Sequence, residues 1–123
     1  MDDEHIIRKI LDCSFKVHKT LGPGLLESAY EECLNYELVK SGLRIERQKG
    51  LPIVYEEIHI GVGYRLDLLV ESRIIVEIKA VECLLDVHYA QIITYLKLSN
   101  LKLGLLINFN TKLLKNGIHR IIN

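Results

Sequence analysis

The sequence predicts an α/β protein, a mixed β-sheet flanked by helices and built around one hairpin. Three observations carry this. Residues 64–80 alternate apolar and polar side chains in two runs about a short polar turn, the period of β-strands. Residues Glu4 to about Thr20 place Ile6, Ile10, Cys13, Val17 and Leu21 on one stripe at helical spacing. A strand pattern over 74–80, a helix pattern over 87–98 and a strand pattern over 103–109 then follow in series. That is the order of a right-handed, parallel βαβ unit.

In chain order, the first helix carries a second stripe of Ile7, Leu11, Ser14 and His18, which leaves His18 at the edge of the buried face, in packing or beside a site. Leu21-Gly22-Pro23-Gly24 turns the chain. A second helix is expected from about Leu25 to Ser41, with Gly24 as its N-cap and Gly42 as the residue that ends it. Glu27 falls in the first turn, where a carboxylate favours the positive helix end. Glu27, Tyr30 and Leu34 also share one side, so Glu27 can equally face the sheet. Leu43 to Lys49 is strongly charged and reads as an edge strand, protected by that charge from pairing with other chains.

Ile53-Val54-Tyr55 is a short strand, Glu56-Glu57 a turn, and Ile58 onward leads into the central hairpin. Gly61 and Gly63 interrupt that strand and suggest a bulge or a close backbone approach. After the hairpin, Asp86 is a candidate N-cap for a helix from Val87 to about Leu98, with His88, Gln91 and Tyr95 on one side. The run Leu103 to Phe109 is nearly all apolar, as in a strand covered on both faces. The tail from Leu113 to Ile122, with its Asn116-Gly117 turn, adds a short edge strand.

With 123 residues, one domain spanning 1–123 is expected. Hydrophobic residues make up 49% of the chain, an ordinary globular share, and no apolar run approaches a membrane span. The start, Met1-Asp2-Asp3-Glu4, lacks the charge pattern of a signal peptide. Cys13, Cys33 and Cys83 are odd in number and widely spaced. They suit a reducing cytoplasm as half-buried thiols, not a disulfide framework or a zinc site. Net charge is zero, but it is unevenly spread. Lys97, Lys102, Lys112, Lys115 and Arg120 follow Asp86 with no acid among them. They are either scattered solubilising charges or a phosphate-binding face.

The hairpin itself sets the chemical question. Tyr64, Leu66, Leu68 and Val70 form one face of its first strand, and Ile74, Val76, Ile78 and Ala80 the matching face of its second. Keeping both on one side of the sheet requires a three-residue loop, Glu71-Ser72-Arg73, or an equivalent bulge. That register sets Asp67 opposite Glu77, and Arg65 opposite Lys79. Two carboxylates about 5 Å apart repel by about 3 kcal/mol at an effective dielectric of 20, more than a favourable cross-strand pair returns. Diagonal ion pairs, Asp67 with Lys79 and Arg65 with Glu77, would relieve this. So would a divalent metal held by both acids.

Asp67 followed by Glu77-Ile78-Lys79 resembles the D…(D/E)xK site of the PD-(D/E)xK nuclease superfamily. The run from Gly24 to Tyr30 matches the GxxExxY pattern that names a small family within it, and Gln91 with Tyr95 resembles a QxxxY element found beside the site in several branches. The likeness runs from about Val17 to the C-terminus. The proline that usually precedes the Asp is replaced by Leu66, a position dispensable to the chemistry. The resemblance implies a restriction-endonuclease-like core and a Mg²⁺- or Mn²⁺-dependent nuclease. Asp67, Glu77 and Glu27 would hold the metal beside the carbonyl of Ile78, with Lys79 and Gln91 completing the catalytic set and Tyr30 supporting Glu27. The implied partner is nucleic acid, DNA ahead of RNA. There is room for a partner protein or a homodimer, and no membrane is expected. The alternative is a nucleic-acid- or protein-binding module on a nuclease fold, with weak or no catalysis.

Overall fold

The computed structural model describes residues 1–61 and 63–123. A five-stranded mixed sheet lies between helices on both faces. The elements in order are α1 (Asp3–Leu21), α2 (Glu27–Lys40), β1 (Ile45–Gly50), β2 (Ile53–Tyr55), β3 (Ile58–Ile60), β4 (Arg65–Val70), β5 (Ile74–Lys79), α3 (Asp86–Ser99), β6 (Leu103–Asn108), a 3₁₀ turn (Leu114–Gly117) and β7 (Ile118–Ile122). The sheet order is β1-β4-β5-β6-β7. β5 and β6 are parallel and every other neighbouring pair is antiparallel, so the βαβ unit and both edge strands form as expected.

Two hydrophobic clusters cover the sheet. On one face α1 and α2 pack Ile6, Ile10, Val17, Tyr30, Leu34 and Leu38 against Leu68, Val70, Ile74, Val76, Ile78, Leu105 and Ile107. On the other face α3 packs Ile92, Tyr95 and Leu96 against Leu66, Leu69, Ile75 and Leu106. Coverage on both faces explains why β5 and β6 read as nearly unbroken apolar runs. Gly104 lets α3 approach closely, since a Cβ there would lie 2.9 Å from Ile92 Cδ1.

Several expectations need correction. Helix α2 starts later than predicted. Leu26, in extended conformation, occupies the cap position and Glu27 is the first helical residue, so Gly24 is not the N-cap. Gly42 does end the helix, at φ 93°. Asp86 likewise begins α3 instead of capping it; Leu85 precedes it, and the Leu85 N–H donates to His88 Nδ1 at 2.9 Å. The segment from Ile58 does not run on into the central hairpin. Among the described residues β2 and β3 pair only with each other, as a separate two-stranded arm. Gly61 and Gly63 have open space where a side chain would stand, so no close backbone approach explains them, and Val62 lies outside the described residues. Tyr64 is exposed instead of packing beside Leu66, and Cys83 is exposed while Cys13 and Cys33 are partly buried.

The central hairpin keeps the predicted register near its turn, with Val70 opposite Ile74 and Leu68 opposite Val76. Glu71 and Ser72 both take left-handed conformations, and Arg73 N–H returns to Val70 O at 3.0 Å. Beyond Leu68 and Val76 the ladder stops. The expected pairs Asp67–Glu77 and Arg65–Lys79 are not formed, and Leu66 joins the cluster on the α3 face instead of the face of Leu68. The neighbouring strand is irregular at the same level: Gln48 has φ 51°, and the β1–β4 pairing is interrupted opposite Asp67.

Candidate active site

Side chains replace the backbone ladder where β4 and β5 part. The Asp67 N–H donates to Glu77 Oε2 at 2.8 Å, and the Ile78 N–H donates to Asp67 Oδ2 at 2.8 Å. Each acid thus satisfies a backbone donor on the opposite strand, donors that the broken ladder would otherwise leave unpaired. Glu77 is buried and Asp67 half-buried. Burial first, then the charge of Asp67, push the Glu77 carboxyl up to about 8. Burial also raises Asp67, opposed chiefly by the bond from Ile78. Neither diagonal ion pair, Asp67–Lys79 or Arg65–Glu77, forms among the described residues. The carboxylates therefore meet without a direct cationic partner.

Lys79 stands two residues beyond Glu77, and its ammonium donates to Gln91 Oε1 at 3.2 Å. Its positive charge opposes the upward shifts of Asp67, Glu77 and Glu27. Two backbone clamps fix the end of β5 that carries it. Phe109 N–H donates to Lys79 O at 2.9 Å. The buried Asn108 amide accepts from Val81 N–H at 3.1 Å and donates to Val81 O at 2.9 Å. Tyr95, one turn beyond Gln91, is buried, and its phenol is pushed up by burial and then by Glu77 and Asp67. His88 turns instead to the Leu85 backbone.

Glu27 opens α2. Glu27 is exposed at the helix start, and its carboxyl is raised by partial desolvation first and by Asp67 next, and lowered by Lys79. The turn that places it is tied down by Tyr30, whose hydroxyl donates to Gly22 O at 2.6 Å and accepts from Leu25 N–H at 3.1 Å. The Tyr30 ring stacks on Phe109 at 4.8 Å between centroids. Tyr30 thus holds the backbone just before Glu27. His18 bonds Thr111 O at 2.7 Å, which ties α1 to the segment after β6 and leaves it outside the acid cluster.

Sequence reasoning missed Glu31, Arg47, Gln48 and Asn108. Glu31 is buried, with Arg47 Nε donating at 2.8 Å and Gln48 Nε2 at 2.6 Å. Its charge helps raise both Asp67 and Glu27. Its position four residues after Glu27, on the same helix side, was the available signal. Arg47 and Gln48 looked like ordinary edge-strand polarity. The basic C-terminal third does not act as one face: Lys112 and Lys115 join Lys19 around a shallow cavity, while Arg120 pairs with Glu4 at 3.1 Å.

PD-(D/E)XK nucleases usually use divalent metal ions. Among the described residues no three His, Cys, Asp or Glu groups are drawn together tightly enough to hold an ion. The donor set still fits a hard cation completed from outside the chain. Asp67 and Glu77 form a desolvated pair of carboxyl groups with no salt-bridge partner among the described residues, and Mg²⁺ is commonly held by one or two carboxylates with water and substrate phosphate. No helix among the described residues is long and apolar enough to cross a membrane. Searches of curated proteins and of solved structures return no match. A family model described as the PD-(D/E)XK nuclease superfamily matches residues 4–121, nearly the whole chain. With this match and a five-strand mixed sheet flanked by helices, the chain belongs to the PD-(D/E)XK nuclease superfamily.

Proposed function

We propose that this chain is a divalent-metal-dependent nuclease that hydrolyses phosphodiester bonds of nucleic acid, DNA ahead of RNA, through a site on one domain. We also infer, from the run Gly24 to Tyr30, that it is of the GxxExxY type. The observation that carries the reading is the placing of two acids across β4 and β5, Glu77 accepting from the Asp67 N–H and Asp67 from the Ile78 N–H, with no salt bridge to either among the described residues. A desolvated acid pair is costly for a fold alone and useful to an enzyme that must hold a hard cation.

In this reading Asp67 and Glu77, with the Ile78 carbonyl and Glu27, would hold Mg²⁺ or Mn²⁺. The bound ion supplies Lewis-acid polarisation of the scissile phosphate and a more acidic water. The backbone donors of Asp67 and Ile78 hold the two carboxylates in place before substrate arrives. Lys79, steadied by Gln91, presents its ammonium to the charge that develops on the phosphate. Tyr95 closes the α3 side of the site with a buried ring and so helps exclude water.

The test is cleavage of mixed single- and double-stranded DNA and RNA with Mn²⁺, wild type against Lys79→Ala. The variant should fold normally and lose on the order of 10²–10³ in rate. Cleavage that survives unchanged in Lys79→Ala would point to a contaminant or another site. A wild type that binds nucleic acid but never cleaves it, alone or with partner chains restored, would sink the enzyme reading in favour of a binding module.

A further inference from the structure

Among the described residues, Gln48 reaches two acids supplied by different layers of the fold, Glu31 and Asp67. Its Nε2 donates to Glu31 Oε1 on α2 at 2.6 Å and lies 3.4 Å from Asp67 Oδ1 on β4. An amide NH₂ carries two protons, so one group can serve both carboxylates. Its backbone takes φ 51°, a left-handed conformation that a non-glycine residue adopts at a cost. That conformation falls in the middle of strand β1, opposite Asp67, where an extended residue would have continued the ladder. Arg47 holds the other oxygen of Glu31 and also reaches Glu32 at 2.7 Å, so the bridge is braced from behind.

We infer that Gln48 is a positioning residue, a neutral bridge that orients the Asp67 carboxylate towards the Glu77 side of the site without neutralising it. The inference rests on the nuclease reading for its purpose, but its geometry stands apart from it. The opposite oxygen of Asp67 is already committed to the Ile78 N–H. The Gln48 amide, 3.4 Å from Oδ1, adds a weaker second restraint on rotation of the carboxylate. A lysine or arginine here would make the same contact but would occupy the charge that a metal needs. An amide restrains without competing. The strained backbone falls at the same place: the β1–β4 pairing skips Gln48 and Asp67, and the Asp67 N–H is bonded to Glu77 instead.

Two variants remove the amide and differ in strain. Gln48→Ala keeps a Cβ in the left-handed conformation, and Gln48→Gly relieves it. The Gly variant should therefore melt a few degrees, about 4 °C, above the Ala variant. Mn²⁺ affinity, read by the EPR signal of free Mn²⁺, should nevertheless fall about 10–100-fold in both, as when a partner of a metal ligand is removed. In the metal-free protein, the Ile78 amide resonance should move in both variants as Asp67 loosens. Affinity that follows melting temperature, or that stays at the wild-type value in both, would overturn the inference. If wild-type protein binds no Mn²⁺, the metal reading falls. The Ile78 amide then decides alone: a shift in both variants upholds the bridge, and an unmoved resonance overturns it.

Discussion

The backbone N–H of Asp67 donates to the Glu77 carboxylate at 2.8 Å, in the place where a ladder bond between β4 and β5 would otherwise lie. One exchange of partners thus opens the sheet and collects its acids. It also makes Glu77 a titrating group with consequences for stability.

Glu77 holds its proton up to about 8, against an ordinary 4.5, mainly because burial disfavours its charge. Asp67 and Glu27 shift in the same direction. Between 4.5 and about 8 the folded chain therefore binds a proton that the unfolded chain has released. Stability is highest at the acid end of that window and falls as pH rises, by up to about 1.4 kcal/mol per pH unit. Urea denaturation in EDTA from pH 5 to 9 should show this slope, and Glu77→Gln should flatten most of it. A metal-free wild type that gains stability over this range would contradict the burial of the charge.

Mn²⁺ should reverse that trend. A cation bound between the acids displaces the proton, so binding should tighten as pH approaches 8. Millimolar Mn²⁺ should raise the melting temperature of the wild type at pH 8 more than at pH 6. Asp67→Ala should remove the shift. Equal shifts in wild type and variant would place the ion elsewhere.

Tyr30→Phe should test the link between the tyrosine and the glutamate of GxxExxY. The ring stack on Phe109 survives, but Gly22 O loses its donor and Leu25 N–H its acceptor. The expected cost is about 1–3 kcal/mol in urea denaturation. Faster hydrogen exchange at the Leu25 amide should accompany it. An unchanged Leu25 amide would mean that the turn before Glu27 is held by other contacts.

Gly117→Ala should strain the segment that locks the end of β5. A Cβ at position 117 would collide with the backbone oxygen of Asn108, which no side-chain rotation can relieve. The main chain must shift, at about 1–3 kcal/mol. Because Asn108 pairs with Val81, cleavage should drop together with stability, in contrast to Lys79→Ala, where only cleavage should fall. A Gly117→Ala protein as stable as wild type would show that the loop yields freely.

The amino-acid sequence by itself determined the α/β class, the parallel crossover, the helix stop at Gly42, the edge position of β1 and the hairpin register at Val70–Ile74 and Leu68–Val76. All of these follow from periodicity and turn chemistry, which act over a few neighbouring residues. It also brought Asp67, Glu77 and Lys79 into question, because like charges facing across a sheet are a local anomaly. Only the tertiary structure decided that the ladder breaks at Asp67, that Leu66 turns to the α3 face, and that Glu31 and Gln48 reach the acids. The physical reason is distance along the chain. The Glu31–Gln48–Asp67 contacts join α2, β1 and β4, whose residues lie 17 and 19 positions apart. No periodic pattern within one element records which side chain of another will complete it. The left-handed backbone at Gln48 is likewise invisible locally, since glutamine has no preference for it. The groups that its side chain meets, Glu31 and Asp67, lie on other elements.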